Sequence, residues 1–115
     1  MWGRQQNKYG AKAVKTEEGR FDSRGELGRW RELQLLQEGK VISGLKRQVR
    51  IPLKVNRKHL GHIVPDFLYT ENGRQVCEDF KSPATAKLPA FRLKWGLLGA
   101  LKPDWELRIS QRRKV

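Results

Sequence analysis

The dipeptide Asn72-Gly73 constrains this chain more than any other feature. It stands between two apolar runs, Ile63 to Tyr69 and Gln75 to Lys81. Asn-Gly in that setting is the strongest short-range signal for a β-hairpin closed by a tight turn. A symmetric reversal there fixes the pairing outward: 71 opposes 74, 69 opposes 76, and Asp66 opposes Asp79. A two-residue and a four-residue loop give this same register; a three-residue loop would shift it. Directly opposed residues of an antiparallel pair have Cβ atoms about 4.5–5.5 Å apart, where like charges repel. Two carboxylates meeting on the middle strands of a small sheet call for a cation between them, unless they form a solvated or mutually neutralised pair. Ligation by oxygen alone suits Mg2+, with Mn2+ as a substitute, water and a substrate phosphate completing the octahedron.

The same parity sorts the neighbouring side chains. Lys81, two residues beyond Asp79, shares its face and can orient an attacking water or neutralise charge on a phosphoryl group. Glu78 opposes Phe67, points to the other side of the sheet, and is left to meet a positive residue there. Cys77 has the parity of Asp79 and needs no role beyond filling the core.

Upstream, Ser23-Arg24-Gly25-Glu26 has capping-box spacing and opens a helix that runs to about Glu38, where Gly39 stops it. Its apolar positions are Leu27, Trp30, Leu33 and Leu36. At 100° per residue their mean direction lies within about 10° of Glu26. Glu26 therefore sits mid-face, either as the reciprocal half of the cap or as a third acid reaching the Asp66–Asp79 pocket. Val49, Ile51, Leu53 and Val55 alternate with polar residues and Pro52, as in a strand near a sheet edge. His59, Gly61 and their neighbours read as a connection, and Ser82 to Thr85 as a loop. Leu88 to Leu101 reads as a second helix, with Gly96 and Gly99 allowing close approach to the sheet. Trp105, Leu107 and Ile109 alternate in a last strand. The order helix, three strands, helix, strand predicts an α/β fold with a small mixed sheet flanked by two helices. Trp30, Trp95 and Trp105 lie on the apolar faces of their elements and are assigned to the core.

Charge narrows the partner. In 115 residues the chain carries 25 Lys and Arg against 12 Asp and Glu, a net +13, and a field of that sign attracts nucleic acid. The basic residues are unevenly placed. Seven lie between Glu38 and Asp66 and five between Asp79 and Asp104, with no carboxylate in either stretch. Candidate backbone contacts are Lys8, Lys12 and Lys15 in a basic arm over residues 1–20, and Arg47, Arg50, Lys54, Arg57 and Lys58 in the 40–58 stretch. Lys87, Arg92 and Lys94 can line the same groove. His59 and His62 read as phosphate contacts or as ordinary surface histidines. Trp2 and Tyr9 read as base-stacking or packing residues. Residues 21–110 form the single domain, and 111–115 a basic tail. One cysteine excludes an internal disulfide and a zinc knuckle. No apolar run approaches the ~18 residues that cross a membrane, and Met-Trp-Gly-Arg-Gln-Gln lacks a secretory signal. The expectation is an intracellular protein that binds DNA and no membrane.

Pro65-Asp66, then twelve residues, then Asp79-Phe80-Lys81 resembles the PD-(D/E)xK signature of the restriction-endonuclease-like nuclease superfamily, whose minimal core has a similar element order. Tyr9-Gly10-Ala11-Lys12, the acidic helix of Phe21-Asp22-Ser23-Arg24-Gly25-Glu26, and Pro65-Asp66-Phe67 are similar to small phage-encoded members of the Holliday-junction resolving endonuclease I type. The resemblance covers residues 8 to 110. It implies a Mg2+-dependent endonuclease hydrolysing DNA phosphodiesters, selective for branched DNA, with Asp66, Asp79 and Glu26 on the metal and Lys81 orienting water. Many members carry Glu where Asp79 stands, which alters the metal spacing. The resemblance also implies a homodimer and, for a phage-encoded protein, the host cytoplasm. Two other readings stand beside it: a basic nucleic-acid-binding module without hydrolysis, and an adaptor of a phage replication or packaging machine.

Overall fold

A computed structural model describes residues 13–111. Lys8, Lys12, Trp2, Tyr9 and the basic residues 112–114 lie outside the described residues. The elements are β1 (Val14–Thr16), β2 (Gly19–Phe21), α1 (Arg24–Glu38), β3 (Ile42–Arg47), β4 (Ile51–Val55) and β5 (Lys58–Ile63). They continue with β6 (Phe67–Glu71), β7 (Arg74–Phe80), α2 (Pro83–Ala86), α3 (Pro89–Leu101) and β8 (Glu106–Ser110). The fold is mixed α/β. Its central sheet has the order β3-β6-β7-β8, and two separate ribbons, β1-β2 and β4-β5, are appended to it. Pairing in the main sheet is antiparallel except between β7 and β8, which are parallel.

The β6–β7 hairpin has the register expected from Asn72-Gly73, with Phe67 opposite Glu78, Tyr69 opposite Val76 and Glu71 opposite Arg74. Asn72 and Gly73 both take positive φ, 52° and 74°, as the inward-twisting two-residue turn requires. Side chains then alternate between faces. Phe67, Tyr69 and Val76 pack under α1 with Leu33 and Ile42, bordered by Trp30, Leu36 and Phe80. On the other face Cys77 joins Ile51, Leu53, Ile63 and Leu98, bordered by Trp95, Trp105 and Leu107. The sheet is thus covered by α1 on one side and by α3 with the β4–β5 ribbon on the other. The three tryptophans are half-buried at the margins of these cores. Only Gly99 of the α3 glycines approaches the sheet, where an added Cβ would lie 3.3 Å from Leu107; Gly96 faces open space.

Several sequence expectations are corrected. The first strand of the main sheet is β3, which the sequence reading missed because Gly44 (φ 63°) and a bulge between Ser43 and Lys46 break its alternation. The strand expected over 49–55 instead pairs with the supposed connection at His59 and Gly61, which is β5. The apolar run from Ile63 to Tyr69 is not one strand. Ile63 pairs with Ile51, and the chain crosses through Val64-Pro65-Asp66 before joining Arg47 and Glu78 at Phe67. Pro65 has no N–H to donate to a continuing ladder. Within the basic arm and its junction, residues 14–21 form the β1–β2 hairpin. The loop at 82–85 contains the helical turn α2, capped by the Ser82 side chain.

Among the described residues no helix is long and apolar enough to cross a membrane.

Candidate functional site

Asp66 immediately precedes β6, and Asp79 is the penultimate residue of β7. The backbone N–H of Asp66 donates to Asp79 Oδ1 at 3.0 Å, and the N–H of Phe80 donates to Asp66 Oδ2 at 2.8 Å. Each carboxyl is thereby locked to the other strand's end, and both residues are buried. One oxygen of each, Asp66 Oδ1 and Asp79 Oδ2, is left off the backbone. Lys81 Nζ stands 3.4 Å from Asp79 Oδ2, and its stem lies beside α3, with Nζ 5.1 Å from the centre of the Phe91 ring.

Glu26 enters from α1. Ser23 caps that helix by accepting from the Glu26 N–H at 3.1 Å. The Glu26 carboxyl does not complete the reciprocal half of the cap. It is 3% exposed and turned toward Asp66. Gly25 makes this possible: an added Cβ would lie 2.5 Å from Phe80 Cζ, so only glycine lets the first turn of α1 press against the end of β7. The sheet end therefore gathers three carboxyls.

Electrostatics follow from that crowding. Burial first, and then the charge of Asp66, pushes the Glu26 carboxyl up to about 8. Burial, a hydrogen bond with Asp79 and the Asp79 charge push Asp66 up to about 8, against the Phe80 N–H and the Lys81 charge. Arg47 forms an ion pair with Glu26 Oε2 at 3.7 Å, and its charge pulls the Glu26 carboxyl down, but burial and the neighbouring acids outweigh it. Near neutral pH the cluster accordingly retains protons that ordinary carboxyls release.

Whether these residues suit a metal turns on their donors and orientation. Every donor is a hard oxygen, the class Mg2+ and Mn2+ take. Two aspartate oxygens not held by backbone and the Glu26 carboxyl are fewer ligands than an octahedral ion takes. Among the described residues no three such side chains already converge in a ready cage. The donor set fits in kind, with Asp66 Oδ1 facing Gln48 Nε2 and Asp79 Oδ2 facing Lys81.

The residues that hold the acids in place were not singled out for that role by the sequence reading. Gln48 donates from its backbone N–H to the Asp66 carbonyl and from Nε2 to Asp66 Oδ1, both at 3.3 Å. It does so from φ 54°, a conformation a glutamine adopts at some cost, and nothing in the sequence signals it. Arg47, expected to contact a phosphate backbone, is turned inward instead. It donates to the carbonyls of Arg20 (2.8 Å) and Glu18 (3.3 Å) and stacks 3.7 Å over the Phe21 ring. Its task is to clamp the β1–β2 hairpin beside Glu26. The other expected contacts within the described residues, Lys15, Arg50, Lys54, Arg57, Lys58 and Lys87, are exposed.

On the opposite face Glu78 meets the positive residue its parity called for. Arg29 grips it with two bonds, Nε to Oε2 at 2.6 Å and a second to Oε1 at 2.9 Å. Tyr69 donates its hydroxyl to Oε1 at 2.5 Å and accepts in turn from Arg108. Burial pushes the Glu78 carboxyl up, but the Arg29 and Tyr69 hydrogen bonds outweigh it and hold the group below the usual range.

Against known proteins, the family model described as "Protein of unknown function (DUF1064)" matches residues 6–111. No curated protein and no solved structure matches the chain.

Proposed function

The chain belongs to the DUF1064 family, whose function is unknown, and from the geometry of its own residues we propose that it is a metal-dependent endonuclease acting on DNA. The observation that carries this reading is the gathering of Glu26, Asp66 and Asp79 at one end of the sheet, with the Lys81 amine 3.4 Å from Asp79. The backbone bonds to Asp66 and Asp79 account for one oxygen of each, and three buried acids against Lys81 and Arg47 leave an excess of acid that a divalent cation and a phosphodiester would use. The succession α1, β3, β6, β7, α3, β8 supports placing the chain in the restriction-endonuclease-like fold, with β1–β2 and β4–β5 as additions.

In this reading Asp66, Asp79 and Glu26 would hold a Mg2+ ion. When bound, the ion supplies charge neutralisation at the phosphoryl oxygens and acidifies coordinated water. The protein does the rest. Asp66 and Asp79 are fixed by backbone N–H groups, so little rotation is required of them. Gln48 and the Gly25–Phe80 contact set where Asp66 and Glu26 stand. Lys81 presents an ammonium on the Asp79 side, where it orients water and counters charge developing on the phosphate. The exposed Arg50, Lys54, Arg57 and Lys58 give the field that draws in the backbone.

The test is a cleavage assay on labelled duplex, nicked, flapped, single-stranded and four-way DNA with Mg2+ and Mn2+. Cleavage of at least one substrate, lost on Asp66→Asn with DNA affinity retained, supports the reading. A protein that binds these substrates and leaves all of them intact with both metals sinks it. Selectivity for branched DNA, which the sequence resemblance implies, is decided by the same panel.

A further inference from the structure

The two stretches of sequence that lack carboxylates, 39–65 and 80–103, are folded against each other. The first supplies the β4–β5 ribbon and the second supplies α3, and their apolar sides meet through Ile51, Leu53, Ile63 and Leu98. Where the base of the ribbon reaches α3, cationic groups converge on His62, and the charged groups acting on its ring, Arg50, Lys94 and His59, include no acid. Arg50 donates from a guanidinium N–H to His62 Nδ1 at 3.1 Å. Lys94 and His59 are close enough that their charges act on the His62 ring. Lys94 lies one helical turn before Leu98, which is buried against the ribbon, so it is carried on the same face of α3.

This cluster adjoins the acidic site by two routes. Along β5 and its continuation, His62 precedes Asp66 by four residues, at most ~13 Å of extended chain. Along the other strand, Arg50 follows Gln48 by two residues, and Gln48 bonds directly to Asp66. On α3, Phe91 lies under Lys81 and Lys94 comes one turn later. A line of positive groups thus runs from Lys81 through Lys94 to His62 and Arg50.

We propose that Arg50, His62 and Lys94 form a phosphate-binding subsite, which holds a DNA backbone phosphate adjacent to the one at Asp66 and Asp79. The arrangement suits a phosphate in three respects. Arg50 and Lys94 bring two permanent charges. The bond from Arg50 makes Nδ1 of His62 an acceptor, which leaves Nε2–H as a directed donor in the neutral ring. Repulsion among the cationic groups is relieved only when an anion enters. In the absence of an anion, burial first and then the charges of Arg50, Lys94 and His59 hold the His62 ring below its ordinary pKa; an arriving phosphate reverses the sign of that field.

The subsite rests on the nuclease reading for its substrate, and its test separates the two. The full chain carrying Asp66→Asn, which cannot turn over, is titrated with fluorescent duplex DNA at a series of salt concentrations. Arg50→Gln and Lys94→Gln each lower the steepness of log affinity against log salt by about 0.9, the loss of one phosphate contact. Arg31→Gln, an exposed residue on the outer side of α1, leaves it unchanged. In parallel, the His62 ring is titrated by NMR with and without DNA, and DNA raises its pKa. Salt slopes equal to that of Arg31→Gln, or a His62 titration unmoved by DNA, overturn the subsite. So does loss of slope on RNA of the same sequence without loss on DNA. Cleavage by the protein with Asp66 intact is scored separately. Its absence on every substrate sinks the nuclease reading, while the slopes still decide the subsite.

Discussion

Glu78 and Asp79 are neighbours on one strand, both buried, and pleating sends them to opposite faces where they meet opposite circumstances. Glu78 is met by Arg29 in two-pronged contact and by the Tyr69 hydroxyl, and its carboxyl is held below the usual range. The network continues through Arg108 to Glu71 and Glu106, so each charge has a partner. Asp79 instead faces Asp66, which in turn faces Glu26, and the nearest cations, Lys81 and Arg47, stand 3.4 and 3.7 Å away without closing a two-pronged pair. Evolution of a stable fold explains the first arrangement, since a buried charge must be matched. It does not explain the second, where three acids are held together and can all ionise only at the expense of mutual repulsion, so that protons are retained instead. Under the proposed reading, a bound cation would complete the match that Lys81 and Arg47 leave partial. The contrast supports the proposed function through what the fold leaves partly unmatched rather than through what it stabilises.

That contrast breaks most visibly under substitution. Asp79→Asn removes one acid and is expected to lower cleavage by roughly 10³-fold, in line with losing several kcal/mol of transition-state stabilisation. The same change makes the metal-free protein no less stable in thermal unfolding, because it relieves repulsion. Arg29→Met does the reverse. It leaves Glu78 buried without its partner and costs about 3 kcal/mol in denaturant unfolding, the lower end for breaking a buried pair because Arg29 is partly exposed. Cleavage per folded molecule stays near wild type. If Asp79→Asn unfolds the protein while Arg29→Met abolishes cleavage in folded material, the assignment of the two faces is inverted.

The two sets also carry opposite pH signatures. Glu26 and Asp66 have folded values near 8, above the ordinary 4.5 and 3.8. Their contribution to stability is complete below about pH 4 and is lost as pH rises toward 8, since the unfolded chain has already released those protons. Glu78, held low, contributes at higher pH and loses its share only as the solution becomes strongly acidic. The metal-free protein should therefore melt lower at pH 8 than at pH 5, by roughly 5–10 °C or about 1–2 kcal/mol. Asp66→Asn should flatten the decline, and added Mg2+ should restore more at pH 8 than at pH 5. A melting temperature that rises across this interval in chelator would mean the acids are matched by charges other than those named above.

How much of this was legible beforehand follows the range of the signals. The Asn72-Gly73 register and the Ser23 cap are local, fixed by turn and helix chemistry within a few residues, and from them the facing of Asp66 and Asp79 could be derived before any coordinates. The parity that separated Glu78 from Asp79 is equally local. The β3 strand was not legible, because Gly44 and a bulge erase its alternation. The β4–β5 ribbon was half read: its first strand alternates, but Gly61 and two histidines disguise the second. The inward turn of Arg47 depends on where the β1–β2 hairpin lands, which no spacing along the chain encodes. For Glu26 the two sequence readings competed, and the close fit of Gly25 on Phe80 decided between them by drawing the side chain off the cap.

The smallest expected effect concerns Gln48, which belongs to neither face but holds Asp66 through two hydrogen bonds. Its side chain reaches Asp66 Oδ1 at 3.3 Å while its backbone sits at φ 54°. Hydrogen bonds to charged groups contribute about 1.5–3 kcal/mol, and this long one belongs at the weak end. Gln48→Ala is therefore expected to reduce cleavage about tenfold, in kcat rather than KM, with DNA affinity intact. Gln48→Asn separates the two properties of the residue, since asparagine tolerates the left-handed conformation but is one methylene too short to reach Oδ1. Equal loss in both variants assigns the effect to the amide contact. Wild-type cleavage in Gln48→Asn with loss in Gln48→Ala would assign it to the backbone conformation, and the hold on Asp66 would then run through the main-chain bond from the Gln48 N–H to the Asp66 carbonyl alone.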